Sequence, residues 1–206
     1  MKYLIIITLL FSSLFSLNLN NNHLKQKLAE DKCSKIINFS EKQIEYIVSS
    51  YIWGKPYGLE NVLPAIAWQE SCAGLYKINV YDPSAGLFHA YIPSVMARHS
   101  SLKNNKYNRN KVAQMLINDD LLSASEAIEE LKFWENYYKQ NKNLYKTLSI
   151  EELMIMSYNR GNRWHKSYKN KKSAKKYLKE VEYKMKQVKK FIKKYDIKSE
   201  INKILN

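Results

Sequence analysis

The 206-residue chain has little glycine (5) and little proline (4). Sandwiches and barrels need many turns, so this scarcity argues against them and favours helices. Acidic residues are also few: Lys+Arg 34 against Asp+Glu 19 gives a net charge of +15. A chain this basic suits anionic partners such as nucleic acid, membrane surface or acidic polymer. The excess is nearly all lysine, in a chain also rich in Asn and Ile, a pattern that coding bias produces as readily as selection for a partner. No zinc-ligand spacing, phosphate-binding glycine loop or Ser/His/Asp order is visible, and His23, His89, His99 and His165 are too scattered for a metal site. No metal and no cofactor are therefore expected. With 45% hydrophobic and 13% aromatic residues, the chain has enough apolar surface for one sizeable core.

Lys2 is followed by an apolar run from Tyr3 to Leu17, and the chain turns polar at Asn18. An apolar stretch of about 15 residues after a positive start reads as a secretory signal, too short for a span of about 20. Residues 1–17 are thus expected to direct export to the periplasm or cell wall. Retention as an uncleaved anchor is the alternative, and no transmembrane domain is expected after signal removal. Export makes a disulfide feasible between the two cysteines, Cys33 and Cys72; the other reading is a small buried Cys72 and a free Cys33.

Residues 18–39 read as a mobile segment. Ser40-Glu41-Lys42-Gln43 then opens a helix as a capping box, followed by Ile44, Ile47, Val48, Tyr51 and Ile52 at helical spacing. A second helix is expected from about Glu60 to Glu70, with Pro64 in its first turn, where proline is tolerated. Residues 71–85 read as a loop and 86–98 as a short helix. Ser123-Ala124-Ser125-Glu126 and Ser149-Ile150-Glu151-Glu152 look like two further capping boxes, and the helix after the latter should stop at Gly161. In the lysine-rich final segment, Leu178, Val181, Met185, Val188, Ile192 and Tyr195 fall on one stripe. The reading is an all-α fold: a compact helical domain over 40–165 and a basic amphipathic helix over 166–206 packed on it.

Three short pieces carry the chemistry. In Ala65-Ile66-Ala67-Trp68-Gln69-Glu70-Ser71 an apolar helix ends on a carboxylate. Ser84-Ala85-Gly86-Leu87-Phe88-His89 is a glycine turn leading into apolar residues. In Met156-Ser157-Tyr158-Asn159-Arg160-Gly161-Asn162 a helix ends with Tyr and Asn beside a glycine. Each alone has an ordinary structural meaning: a solvated charge, a packing turn, a helix C-cap. A carboxyl set against apolar and aromatic walls, however, is expected to hold its proton near neutral pH, as a general acid must.

In order and spacing, the three pieces resemble the soluble lytic transglycosylase domain family, which is lysozyme-like. That family carries Glu-Ser at a helix end, matched by Glu70-Ser71. Its Gly-Leu-Met-Gln segment is matched by Gly86-Leu87, and its Ala-Tyr-Asn-Ala-Gly segment by Tyr158-Asn159 and Gly161. The likeness covers roughly residues 60–165. Phe88 and His89 stand where Met and Gln are usual, and Ser157 and Arg160 replace the alanines. The resemblance implies a lysozyme-like helical domain that cleaves the β-1,4 bond between N-acetylmuramic acid and N-acetylglucosamine, leaving a 1,6-anhydro sugar. It implies Glu70 as the acid and base. Ser71, Ser84, Gly86, Leu87, Phe88, His89, Tyr158 and Asn159 would contact the glycan. The implied partner is the peptidoglycan strand, without nucleic acid, in wall recycling or beside a division or secretion complex.

Two other readings remain open. Asp82 follows Glu70 in the same loop region; facing it across a cleft, Asp82 would activate water and make the enzyme a hydrolysing lysozyme. Asp-Pro-Ser is otherwise a turn former. A non-catalytic basic protein that binds the cell wall is the third reading; the lysines would then hold it on anionic polymer instead of forming a solvated helix face.

Overall fold

The computed structural model describes residues 33–79, 82–99, 103–141, 145 and 147–195. The expected signal over 1–17 and most of the segment expected to be mobile lie outside the described residues. The described chain is mostly helical: α1 (Glu41–Gly54), α2 (Val62–Ser71), β1 (Ser84–Ala85), β2 (Ala90–Tyr91), α3 (Ile92–Arg98), α4 (Lys106–Asn118), α5 (Asp120–Gln140), α6 (Ile150–Arg160) and α7 (Tyr168–Lys194).

Helix starts follow local chemistry. At α1 the Ser40 hydroxyl accepts from the Gln43 amide at 3.3 Å, while the Gln43 side chain accepts from the Ser40 amide at 3.0 Å. Ser149 and Glu152 form the same reciprocal pair at α6. Each pair satisfies two backbone donors that a helix start leaves open. The third expected box is not one. Ser123 and Glu126 lie inside α5, which is capped earlier by Asp119, whose carboxylate accepts from the Leu122 amide at 2.8 Å.

Helix α2 is the axis of the fold. Every residue from Val62 to Trp68 is buried, so the helix is apolar all round and needs partners on all sides. It packs against α1 on one side and α7 on another. A central core joins α2, α5, α6 and the first half of α7 through Leu63, Ile66, Leu131, Leu153, Ile155 and Val181, among others. A second cluster gathers Phe39, Ile47, Tyr51 and Trp68 with Val188 and Ile192 of α7. The basic helix packs on the rest of the fold, and its apolar stripe completes both cores. Tyr195, expected on that stripe, is 41% exposed.

Two other regions differ from the sequence reading. Over 86–98 the expected helix is a hairpin followed by a shorter helix: Ser84 pairs with Tyr91 and Ala85 with Ala90, antiparallel, before α3 begins at Ile92. Two residues of the hairpin's turn have positive φ, Gly86 at 87° and His89 at 46°. Residues 33–39, read as the end of a mobile segment, are fixed to the fold. Cys33 is disulfide-bonded to Cys72, the Trp68 indole N–H donates to the Cys33 carbonyl at 2.7 Å, and Phe39 packs edge-on against Trp68. No helix of the described residues is long and apolar enough to cross a membrane.

The disulfide closes a separation of 39 residues. Cross-linking a loop of that size restricts the unfolded chain by about 4 kcal/mol in the chain-entropy account. Replacing both cysteines by serine should lower the unfolding free energy by roughly that amount, read as a lower midpoint in denaturant titration. An unchanged midpoint would show that the noncovalent contacts of residues 33–39 suffice.

Candidate active site

The last turn of α2 delivers Glu70 and Ser71, and their side chains diverge. Ser71 is fully buried. Its hydroxyl donates to the Leu87 carbonyl at 2.5 Å and accepts from the Gly74 amide at 2.8 Å. The chain then reverses through Cys72, Ala73 and Gly74, all at positive φ. A side chain at position 74 would enter the Tyr46 ring, so glycine is required there for space as well as for φ.

Gly86 is bound in the same way. A Cβ there would meet the Ser123 hydroxyl and come within 2.6 Å of the Leu116 carbonyl. Leu87 and Phe88 are fully buried. Ser71, Gly86, Leu87 and Phe88 were expected to contact a glycan; they instead clamp the hairpin to α2 and to the α4–α5 corner. Their effect on the site runs through main-chain carbonyls. The Tyr158 hydroxyl, from α6, donates to the Phe88 carbonyl at 2.8 Å.

A cleft of about 630 Å³ opens above these elements. Glu70, Asp82, Ser84, His89, Tyr158 and Asn159 all line it, together with Glu130 and Trp134 of α5 and Arg160 and Arg163 at the end of α6 and in the following turn. The structure thus gathers six of the expected site residues onto one surface. The Asp82 carboxylate accepts from the Ser84 hydroxyl, the local turn bond that Asp-Pro-Ser favours.

Glu70 sits at the cleft wall with its side chain 16% exposed. The sequence suggests purely apolar surroundings, because Ile66, Ala67 and Trp68 precede it. Those three point into the cores, and the carboxyl has polar partners. The Tyr177 hydroxyl of α7 donates to Oε1 at 2.5 Å, and His89 Nδ1 lies 3.7 Å from Oε2. Burial, and then the nearby Glu70 charge, push both the Tyr177 and Tyr158 phenols well above their ordinary value. Both therefore keep their protons and act as donors.

His89 has a determined tautomer. Its Nε2 lies 2.7 Å from the Tyr76 carbonyl, which can only accept, so Nε2 carries a proton. Nδ1 is then the atom that titrates, and it faces Glu70. Burial of the ring opposes its charged form, but Glu70 and the Tyr76 carbonyl outweigh this and raise the pKa above 6.5. Glutamine, usual at this position in the resembled family, has no such charge state.

Tyr177 was missed from sequence because it lies in the lysine-rich segment. The available signal was its spacing, three after Ala174 and four before Val181, which puts it on the buried face of α7. Glu130 was missed as well. It accepts from Arg98 Nη1 at 2.6 Å and from the Trp134 indole at 2.8 Å. Arg98 also holds buried Glu126 at 2.8 Å, and His99 reaches the other Glu126 oxygen at 2.6 Å. This network fixes α3 to α5 beside the cleft. Ser157, which replaces a family alanine, is buried against Tyr138 at 2.7 Å. The Tyr138 hydroxyl also accepts from the Trp164 indole at 3.0 Å.

Among the described residues no group of His, Cys, Asp and Glu is placed to hold a metal ion. Comparisons with protein-family models, with characterised proteins and with solved structures find no match to this chain.

The His89 pKa gives a signed prediction. A raised folded value means that the ring's contribution to stability is complete below about 6.5 and is lost as pH rises through the folded value. The stability advantage of the wild type over His89→Gln should therefore be largest near pH 6 and shrink toward pH 9, measured by denaturant titration across that range. A pH-independent difference would show that Nδ1 does not sense Glu70.

Proposed function

We propose that the protein is a peptidoglycan lytic transglycosylase with a lysozyme-like helical domain. The observation that carries this reading is Glu70, a largely buried carboxyl at the wall of a cleft of about 630 Å³, oriented by a phenol. Of the other two carboxylates lining the cleft, Glu130 is paired with Arg98 and Trp134, and Asp82 accepts from the Ser84 hydroxyl at one oxygen. Glu70 is held by the Tyr177 hydroxyl at one oxygen, and its second oxygen faces His89. Ordinary glycosidases need two working carboxyl groups at a defined separation. A transglycosylase needs one, because the substrate supplies the nucleophile.

The steps follow. Protonated Glu70 gives its proton to the bridging oxygen as the C1–O4 bond breaks, and N-acetylglucosamine leaves with its 4-hydroxyl restored. The muramic ring takes on oxocarbenium character, and its own acetamido oxygen stabilises C1. Glu70, now a carboxylate, takes the proton of the muramic 6-hydroxyl while O6 closes on C1. The product is the 1,6-anhydro ring, and Glu70 ends protonated as it began. Tyr177 donates to the carboxylate form and so holds it in place between the two transfers. Tyr158, fixed by the Phe88 carbonyl, presents its ring and oxygen to the sugar, and Asn159 supplies an exposed amide at the rim.

A hydrolytic reading keeps one observation in its favour: Asp82 lines the same cleft as Glu70. The two readings differ in product. Purified protein incubated with sacculi should release fragments ending in 1,6-anhydromuramic acid, seen by mass spectrometry as ends one water lighter than reducing ends. Glu70→Gln should abolish release, with a loss of at least about a hundredfold, the usual scale for removing a positioned acid. Reducing ends would move the assignment to the lysozyme class. Absence of any cleavage, with retained binding that salt weakens steeply, would leave a wall-binding protein.

Tyr177→Phe removes one hydroxyl and keeps the packing. It should lower kcat by about tenfold with little change in KM, since a charge-assisted hydrogen bond to the working carboxylate is lost. A rise in KM alone would place Tyr177 in substrate contact instead.

A further inference from the structure

The charges lining the cleft do not balance locally. Each acidic side chain on its surface has a hydrogen-bond partner: Tyr177 for Glu70, Ser84 for Asp82, and Arg98 with Trp134 for Glu130. The two cations at the other side do not have an acid. Arg160, in the last turn of α6, donates through Nη2 to the Ser173 hydroxyl at 2.9 Å. Arg163 lies in the short turn over Gly161–His165, where its carbonyl accepts from Asn170. Neither guanidinium forms an ion pair among the described residues, although both line the cleft. Arg98, by contrast, is saturated by two carboxylates.

The turn that carries Arg163 is rigid. Trp164 is buried and donates to Tyr138, and Tyr145 packs at a tilt against Trp164 and edge-on against His165. Gly161, at φ 58°, ends α6 and brings this turn back beside Arg160. Arg160 and Arg163 thus line the cleft together with Tyr158 and Asn159. Guanidinium forks match carboxylates in geometry and bind them bidentately.

We propose that Arg160 and Arg163 form a carboxylate-binding subsite that selects glycan strands still bearing their peptide stems. The proposal rests on the cleft being a peptidoglycan-cleaving site. The muramic sugar is the one that carries the stem, through its lactyl group, and it is also the sugar whose C1 must reach Glu70. A stem attached there is held near the α6 side of the cleft without a separate binding event, so its carboxylates meet the guanidiniums at high effective concentration. An exposed cation gains little from a free anion in water. A tethered carboxylate avoids most of that entropic loss.

The test compares two substrates: isolated sacculi, and the same sacculi with the carboxylates of their peptide stems converted to amides by a carbodiimide and ammonia. The wild type should release anhydro-ended fragments faster from the strands that keep their carboxylates. In the Arg160→Gln, Arg163→Gln double variant, the ratio of the two rates should fall by about tenfold, the scale of a lost charge-assisted contact. Arg160→Lys, Arg163→Lys keeps the charge but not the fork and should recover only part of the ratio. Added salt should erode the wild-type ratio. Both arginines are exposed, so the folded state is checked simply by an unchanged thermal midpoint. Equal rates of the wild type on the two substrates, or an unchanged ratio in the double variant, would overturn the subsite and leave the transglycosylase reading standing. Failure of the wild type to cleave either substrate would overturn both.

Discussion

The hydrogen bond from the Ser71 hydroxyl to the Leu87 carbonyl is the tie on which the cleft depends. It joins the end of the central helix to a hairpin whose two strands are only two residues each, adding to the backbone bonds that Gly86 and Ile92 donate to Lys77 and Pro83. The same oxygen accepts from Gly74, so one buried hydroxyl fixes both the exit from α2 and the loop that returns to it. Once Leu87 is fixed, the Phe88 carbonyl meets Tyr158 and His89 comes to face Glu70. A residue without access to the cleft thereby sets the positions of three that have it. A buried hydroxyl so committed is costly to unmake, because its partners would be left without bonds in a dry interior.

Much of the helical framework was legible because it is written locally. Ser40 with Gln43 and Ser149 with Glu152 specify helix starts within four residues, and Gly161 specifies a stop. Ser123 with Glu126 carries the same local pattern yet starts nothing. Asp119 caps first, and Glu126 is drawn inward by Arg98 and His99, which lie 28 and 27 residues away in sequence. The hairpin over 84–91 was hidden for a related reason. Its strands are too short for an alternating pattern, and its turn is held by Gly86 fitting against Leu116 and Ser123.

For the site, the three short pieces around Glu70, Gly86 and Tyr158 do meet, but half of their residues act from inside. A motif records which positions matter without recording which face them toward solvent. Ser71, Leu87 and Phe88 share the motifs with Glu70 and His89, yet only burial separates the two kinds. Tyr177 shares no motif with them. Its part follows from α7 crossing α2, a packing decision made by Val181, Leu178 and Ala174 on the same helix face.

The distance in sequence between Glu70 and its phenolic partner is 107 residues. A nascent chain thus carries the carboxyl long before it carries the group that orients it. Assembly of the cleft is consequently tied to completion of the final long helix, the last of its elements to be synthesised.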